Sequence, residues 1–325
     1  MAPAAHQSRR HRLQRSELAV PATSTQFFEK AAKGPADSIF LDLEDAIAPD
    51  RRIEARECAV RALDDIDWGA KTVSVRVNGL DTPYALADLL SVARCKRLDM
   101  ILLPKVETAE DVVFVDRILT MLELETPREN PLGIEILIET TKGLANVESI
   151  AASSSRLEGM IFGVGDYSIE LENFDTVFGA SNPDYAVLAR GEHGPAQYHW
   201  NDQWHFALAR IANACRAYGL RPIDGPYTKF VDDEGYRAGC RRARALGFEG
   251  KWAIHPRQVE LANAEFTPTA AQVAWARNIE QKMHDAAAAG SGAIGLSGEL
   301  IDRAHLLLAS KILKRAALAG VGKVS

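Results

Sequence analysis

The chain has 325 residues, 47% of them hydrophobic and 25% charged, and carries a net charge of −6. That length suits an α/β barrel with an appendage, and an acidic balance without an extended basic face excludes a general nucleic-acid binder. No apolar run approaches the roughly 18 residues needed to cross a bilayer, so a soluble, cytoplasmic protein with no membrane partner is expected.

The start, SRRHRLQR (Ser8–Arg15), is basic, free of acids and without an apolar h-region. It reads as a disordered arm ahead of the first strand rather than a secretion signal. Short apolar runs then alternate with amphipathic stretches, as repeated βα units do. Strands are expected near Leu18–Pro21, Ser38–Leu43, Thr72–Val77, Met100–Pro104, Gly133–Glu139, Met160–Val164, Arg221–Ile223 and Trp252–Ile254. Helical patterns at Thr25–Lys33, Pro49–Leu63, Ala109–Leu124 and Trp204–Tyr218 lie between them. Thr108, followed by Glu110 and Asp111, has the form of an N-cap with acids in the first turn.

Eight such units predict a (β/α)8 TIM barrel. An open doubly wound sheet would carry a Gly-rich fingerprint after its first strand, and none is present. Tyr167–Gln203 is too long and aperiodic for an ordinary connection and, directly after Asp166, reads as a functional lid or a disordered linker. After Pro268 the pattern is a helix (Ala270–Ala289), a Gly-rich hinge (Gly290–Gly298) and a second helix from about Asp302. The expected organisation is therefore a barrel domain, 1–266, and a C-terminal helical lid, 267–325. Cys58, Cys95, Cys215 and Cys240 lie far apart with no CxxC and are expected to be reduced thiols.

Chemistry in such barrels collects at the carboxyl ends of the strands. Two apolar runs end there in an acid: GIEILIE at Glu139 and MIFGVGD at Asp166. Two carboxylates with waters and a bidentate substrate form a common Mg²⁺ arrangement; helix caps or lysine partners are the alternative. Arg76, closing TVSVR, could clamp a carboxylate or carbonyl with its planar fork. It could instead pair with Asp42, Glu44 or Asp45 of DLED, acids that are also candidate partners for metal-bound water. Lys105 in LLPKV could form a Schiff base, with a salt-bridged lysine the plainer reading. His255 in KWAIHP is a hydrogen-bonding or acid–base candidate, or a structural residue before a helix-starting proline. His199 and His205 in YHWNDQWH are read as packing rather than ligands.

The stretches FLDLEDAIAPD, SVRVNGLDTP, LLPKV, ILIETTKG, GVGDY, HWNDQWHFALA, PIDGPYTKFVDDEGY and GKWAIHPRQVELANAEFTP run in order from about Phe28 to the C-terminus. On these residues the chain resembles the citrate lyase β-subunit-like (HpcH/HpaI aldolase) superfamily. Through HWNDQWH, DGPYTKFVDDEGY and the long loop before them, it resembles the malyl-CoA/β-methylmalyl-CoA lyase branch. The resemblance implies Mg²⁺, with Mn²⁺ as a substitute, held by Glu139 and Asp166. It implies that Arg76 holds the substrate's carbonyl or thioester oxygen, and that Asp302 is an acid–base group reaching a neighbouring subunit's site. Coenzyme A or substrate contacts map onto Lys30, Gly165, Asp166, Ile254 and His255.

The implied reaction is reversible cleavage of a malyl-CoA-like 3-hydroxyacyl-CoA to acetyl-CoA or propionyl-CoA and glyoxylate, in a homo-oligomer (trimer or hexamer) with shared lids. A citramalyl-CoA lyase, a malyl-CoA thioesterase and an aldolase for free 2-oxo acids are the alternatives. Two departures stand out. Pro21-Ala22-Thr23-Ser24 replaces the usual Pro-Gly-Ser-basic motif, which removes a phosphate partner at Ser24. Tyr167-Ser168-Ile169-Glu170 follows Asp166 where small residues are usual, and this bulk is expected to reshape the pocket.

Overall fold

The computed structural model describes residues 12–190, 195–296 and 298–321. Residues 1–11, with the first half of the expected basic arm Ser8–Arg15, lie outside them; the second half is not disordered as expected, because Arg12, Gln14 and Arg15 donate hydrogen bonds to barrel carboxylates. The chain divides into two compact units, Met1–Glu265 and Phe266–Ser325.

The first unit is a closed barrel of eight parallel strands: Ser16–Pro21, Ser38–Asp42, Thr72–Arg76, Met100–Leu103, Gly133–Ile138, Leu157–Phe162, Arg221–Asp224 and Gly250–Ala253. Each pairs with the next in sequence, and the eighth closes on the first. All eight expected strands are present, with ends shifted by a few residues. They are buried on both faces, which is why they read as continuous apolar runs rather than alternating ones. The predicted cap at Thr108 forms: Asp111 accepts a hydrogen bond from the Thr108 N–H at 2.8 Å. The four cysteines are free and buried.

Inside the barrel, Phe40, Leu102, Leu137, Ile161, Ile223 and Trp252 form one cluster, with Phe40 and Trp252 edge to face at 4.7 Å. Full burial of side chains of this size contributes about 1.5–3 kcal/mol each. Toward the amino ends of the strands the filling turns polar. Gln14 donates to Glu17 at 2.7 Å and to Glu135 at 2.8 Å, and Arg221 donates to Gln14 at 2.9 Å and to Glu158 at 3.2 Å. A register shift between the fifth and sixth strands sets Glu135 opposite Gly159, where a Cβ would come within 2.6 Å of the Glu135 carboxyl. Arg12 joins from the amino-terminal arm, donating to Glu158 at 2.9 Å.

Burial, reinforced by the neighbouring Glu135, holds the Glu17 carboxyl well above its usual range, and burial raises Glu135 too. A carboxyl raised in the folded state binds its proton more tightly there than in the unfolded chain. Its favourable contribution is complete below the ordinary carboxylate range and is lost as pH rises through the folded value. Glu17→Gln should therefore raise the melting temperature at pH 8 by about 2–4 °C, the shift expected for a kcal/mol in a chain of this size. It should leave the melting temperature near pH 4 almost unchanged. A uniform loss at every pH in a thermal melt would refute this account.

Two expectations are corrected. Tyr167–Gln203 is not wholly irregular: its first residues complete a helix, Val164–Glu170, and Ala186–Ala189 pairs antiparallel with Gln197–Trp200. The Gly290–Gly298 segment is not a simple hinge. Ile294–Leu296 pairs antiparallel with Glu299–Ile301, and Gly298 takes the turn at φ +86° that other residues avoid. In the second unit this hairpin accompanies the helices Ala270–Ala288 and Arg303–Leu318 around a core of Ala276, Ile279, Met283, Ile301 and Ala309. Thr269 and Gln272 form a reciprocal cap on the first of those helices.

Candidate active site at the barrel mouth

Arg76 ends the third strand, 5% exposed. Its Nε and one terminal nitrogen donate to the two carboxyl oxygens of Asp42, each at 2.7 Å. This bidentate geometry fixes the plane of the guanidinium. The other terminal nitrogen lies 3.0 Å from Glu44 and donates to Asp45 at 3.1 Å. Below, the guanidinium carbon sits 5.4 Å from the Trp252 ring centroid and 5.8 Å from that of Phe40, within cation–π range. Burial opposes the charge, but Asp42, Glu44 and Asp45 outweigh it, so Arg76 stays protonated. The pairing with DLED acids is thus real, and it holds the guanidinium rigidly at the mouth.

Glu139 follows the fifth strand and is 4% exposed. Its approach depends on Gly163, because a Cβ there would lie 2.3 Å from the Glu139 Cβ. Burial, then repulsion from Glu44, drives its carboxyl up to about 8, with Asp166 adding to the effect. Glu44, 3% exposed, is pushed up to about 6, mainly by burial against the opposing pull of Arg76. Asp166 stands in the first turn of Val164–Glu170 rather than on a strand end. Its Oδ2 is buried without a hydrogen-bond partner.

Lys105 reaches into this acid group. Its backbone N–H donates to Glu139 Oε1 at 2.8 Å and its ammonium to Glu44 Oε1 at 2.8 Å. The ammonium also lies 3.6 Å from Asp166 Oδ2 and 3.8 Å from Asp45. From the sequence, Lys105 is a Schiff-base candidate or, more plainly, a salt-bridged lysine, and Glu44 a partner for Arg76 or for metal-bound water; the structure shows the salt bridge and the Arg76 pairing. Neither the backbone turn at Lys105 nor the depth of Glu44 has a sequence signature beyond a charged residue at a strand end.

The structure brings Arg76, Glu139 and Asp166 to one mouth. Of the remaining candidates, Lys30 is exposed on the helix Phe28–Lys33. Gly165 faces the Phe178 ring of the long loop. Ile254 is 38% exposed, and His255 stacks on Phe230 at 5.0 Å with its Nδ1 accepting the Arg257 N–H at 3.2 Å. Asp302 belongs to the second unit, where it caps Arg303–Leu318 by accepting the Ala304 N–H at 2.9 Å. The expected bulk at Tyr167 does not enter the pocket. The helical turn carries Tyr167 into the packing behind the strand, against Phe162 at 5.4 Å and Trp204 at 6.5 Å. Ser168 is buried too, bonded to the Val164 carbonyl.

Among the described residues no group of three or more His, Cys, Asp or Glu is arranged to hold a metal ion by itself. A site of two carboxylates completed by water and substrate does not need one. The donor chemistry fits a hard cation: all the acids offer oxygen, one oxygen of Asp166 is buried and accepts no hydrogen bond, and Glu139 is ill-suited to ionise without a further positive charge beside it.

The HpcH/HpaI aldolase/citrate lyase family model matches residues 15–256. The L-malyl-CoA/β-methylmalyl-CoA lyase of Rhodobacter capsulatus is 43% identical over 312 residues, 95% of this chain and 96% of its own. The (3S)-malyl-CoA thioesterase of Cereibacter sphaeroides is 35% identical over 302 residues, 93% of this chain and 94% of its own. Among solved structures, the protein CitE from Mycobacterium tuberculosis in complex with magnesium, acetoacetate and coenzyme A superposes with a TM-score of 0.70 at 26% identity, covering 94% of this chain and 98% of that one. No helix among the described residues is long and apolar enough to cross a membrane. A family match across most of the barrel, a similar lyase along nearly the whole chain and a mouth of acids around a clamped arginine place this protein in the HpcH/HpaI aldolase/citrate lyase family.

Proposed function

We propose that this chain is a Mg²⁺-dependent carbon–carbon lyase that reversibly cleaves malyl-CoA-like 3-hydroxyacyl-CoA thioesters to acetyl-CoA or propionyl-CoA and glyoxylate. The observation that carries the proposal is the mouth itself, where Glu139, Asp166 and Glu44 crowd beside an arginine locked by Asp42. The lyase relative supplies the substrate class.

Glu139 and Asp166 would hold the cation, which when bound would act as a Lewis acid toward the hydroxyl and carboxylate oxygens of the substrate. Arg76 would stabilise the thioester enolate that forms as the carbon–carbon bond breaks. Its plane is already set by Asp42, so little reorganisation accompanies the developing charge. Asp302 would exchange the proton at the acyl carbon. Lys30, Gly165, Ile254 and His255 would line the path of coenzyme A. A cytoplasmic homo-oligomer, trimer or hexamer, with lids shared between subunits and Mn²⁺ as a substitute metal, completes the reading.

The thioesterase relative supports a second reading, hydrolysis of malyl-CoA to malate and free thiol. The two separate cleanly. Purified protein with malyl-CoA and Mg²⁺ should yield acetyl-CoA and glyoxylate in equal amounts, read by chromatography. Free thiol and malate alone would sink the lyase assignment.

A further inference from the structure

Lys105 has φ +52°, and among the described residues only one other non-glycine residue, Glu172, has a positive φ. Left-handed backbone at a residue with a side chain is strained and persists where the surroundings impose it. Here that conformation has a local consequence. It turns the Lys105 N–H onto Glu139 Oε1, 2.8 Å away, while the side chain returns over the mouth to Glu44 Oε1 at 2.8 Å. The same ammonium lies 3.6 Å from the otherwise unpartnered Asp166 Oδ2. One residue therefore fixes one proposed metal ligand through its backbone and neutralises the surroundings of the other through its side chain.

Resting on the metal reading above, we propose that Lys105 is an internal counter-cation that competes with the divalent ion for Asp166 and Glu44, so that its ammonium sets how weakly the mouth holds Mg²⁺, while its left-handed backbone holds Glu139 in place. An ammonium this close to a carboxylate oxygen raises the energy of any cation that shares that oxygen, because like charges repel, and the partial exposure of both side chains, 39% and 34%, weakens that repulsion without removing it. It also satisfies the acids while the metal is away, which keeps the mouth from being a cluster of unpaired buried charges. The consequence is a site that exchanges its metal readily and holds it firmly only when an anionic substrate adds further oxygens.

The experiment is a titration of the full-length protein with Mg²⁺ alone, read by calorimetry, for wild type, Lys105→Met, Lys105→Gly and Lys105→Ala. Lys105→Met removes the charge and keeps much of the side chain, and should bind Mg²⁺ at least tenfold more tightly. Lys105→Gly should show the same gain and melt no lower than Lys105→Ala, because glycine accepts the left-handed backbone and alanine does not. An unchanged or weaker affinity in both Lys105→Met and Lys105→Gly would overturn the competition. Lys105→Ala melting clearly above Lys105→Gly would overturn the backbone role. Absence of Mg²⁺ uptake by wild type, Lys105→Met and Lys105→Gly alike would overturn the metal reading itself, and this one with it. Uptake by wild type with no change in the variants would overturn this inference alone.

Discussion

Glu139→Gln is expected to lose Mg²⁺-dependent turnover by about 10³-fold or more, roughly 4 kcal/mol of barrier, while making the metal-free protein more stable to heat. The two effects point in opposite directions for one reason. Glu139 is buried beside Glu44 and Asp166, which is why its carboxyl sits at about 8. Without a cation, such a group lowers stability progressively from the ordinary carboxylate range up to about pH 8 and most fully above it, and glutamine removes that cost. The amide oxygen can still accept the Lys105 N–H, so the local backbone keeps its bond. Asp166→Asn should lose activity similarly but gain little stability, since its side chain is 34% exposed. A saturating metal provides a further check. At one hundred times its Kd a ligand stabilises the folded state by about 2.7 kcal/mol, some 5–10 °C in the wild-type melting temperature, and either substitution should abolish that shift. Full Mg²⁺-dependent activity in either variant, or a retained Mg²⁺ shift, would remove these two acids from the metal site.

The barrel was legible because each strand is covered on both faces, which writes it as an uninterrupted apolar run such as GIEILI or MILL. The end of a run marks where the chain leaves the sheet, so a charged residue there reads as a mouth residue from the amino-acid order alone. Arg76 and Glu139 were readable in this way. What was not readable depends on direction rather than position. Tyr167 directly follows Asp166, yet one helical step turns it into the packing against Phe162 and Trp204. Lys105 looks like any lysine after a strand, and only its φ of +52° makes it part of the acid group. The polar filling beneath the core hides for another reason. Glu17, Glu135 and Glu158 are scattered along the chain and meet only because the barrel closes and a register shift brings Glu135 opposite Gly159. The hairpin at Ile294–Ile301 was obscured by its glycines, which serve a turn as readily as a hinge.

Asp302 poses the sharpest separation of structure from chemistry. Its carboxylate accepts the Ala304 N–H and lies 2.9 Å from His305 Nδ1. These two contacts, His305 first, hold it below the usual carboxylate range. An alanine at this position would therefore lose a helix cap together with any acid–base function, and could not tell the two apart. Asparagine caps as well as aspartate does but carries no exchangeable carboxyl proton. If Asp302 moves the proton at the acyl carbon, Asp302→Asn and Asp302→Ala should both lower kcat by about 10²–10⁴-fold with KM little changed, and only Asp302→Ala should lower the melting temperature. Asparagine with near wild-type kcat would leave Asp302 a cap and nothing more. The shared-lid reading adds a second, independent test. Arg76→Lys keeps the charge but loses the two-pronged bond to Asp42, so it should be inactive alone, as should Asp302→Asn. In mixed oligomers some sites would combine an intact Arg76 from one subunit with an intact Asp302 from its neighbour, about a quarter of them by random pairing. Activity returning toward that fraction supports a lid that crosses between subunits, and no recovery in verified mixed oligomers means that each chain closes its own site.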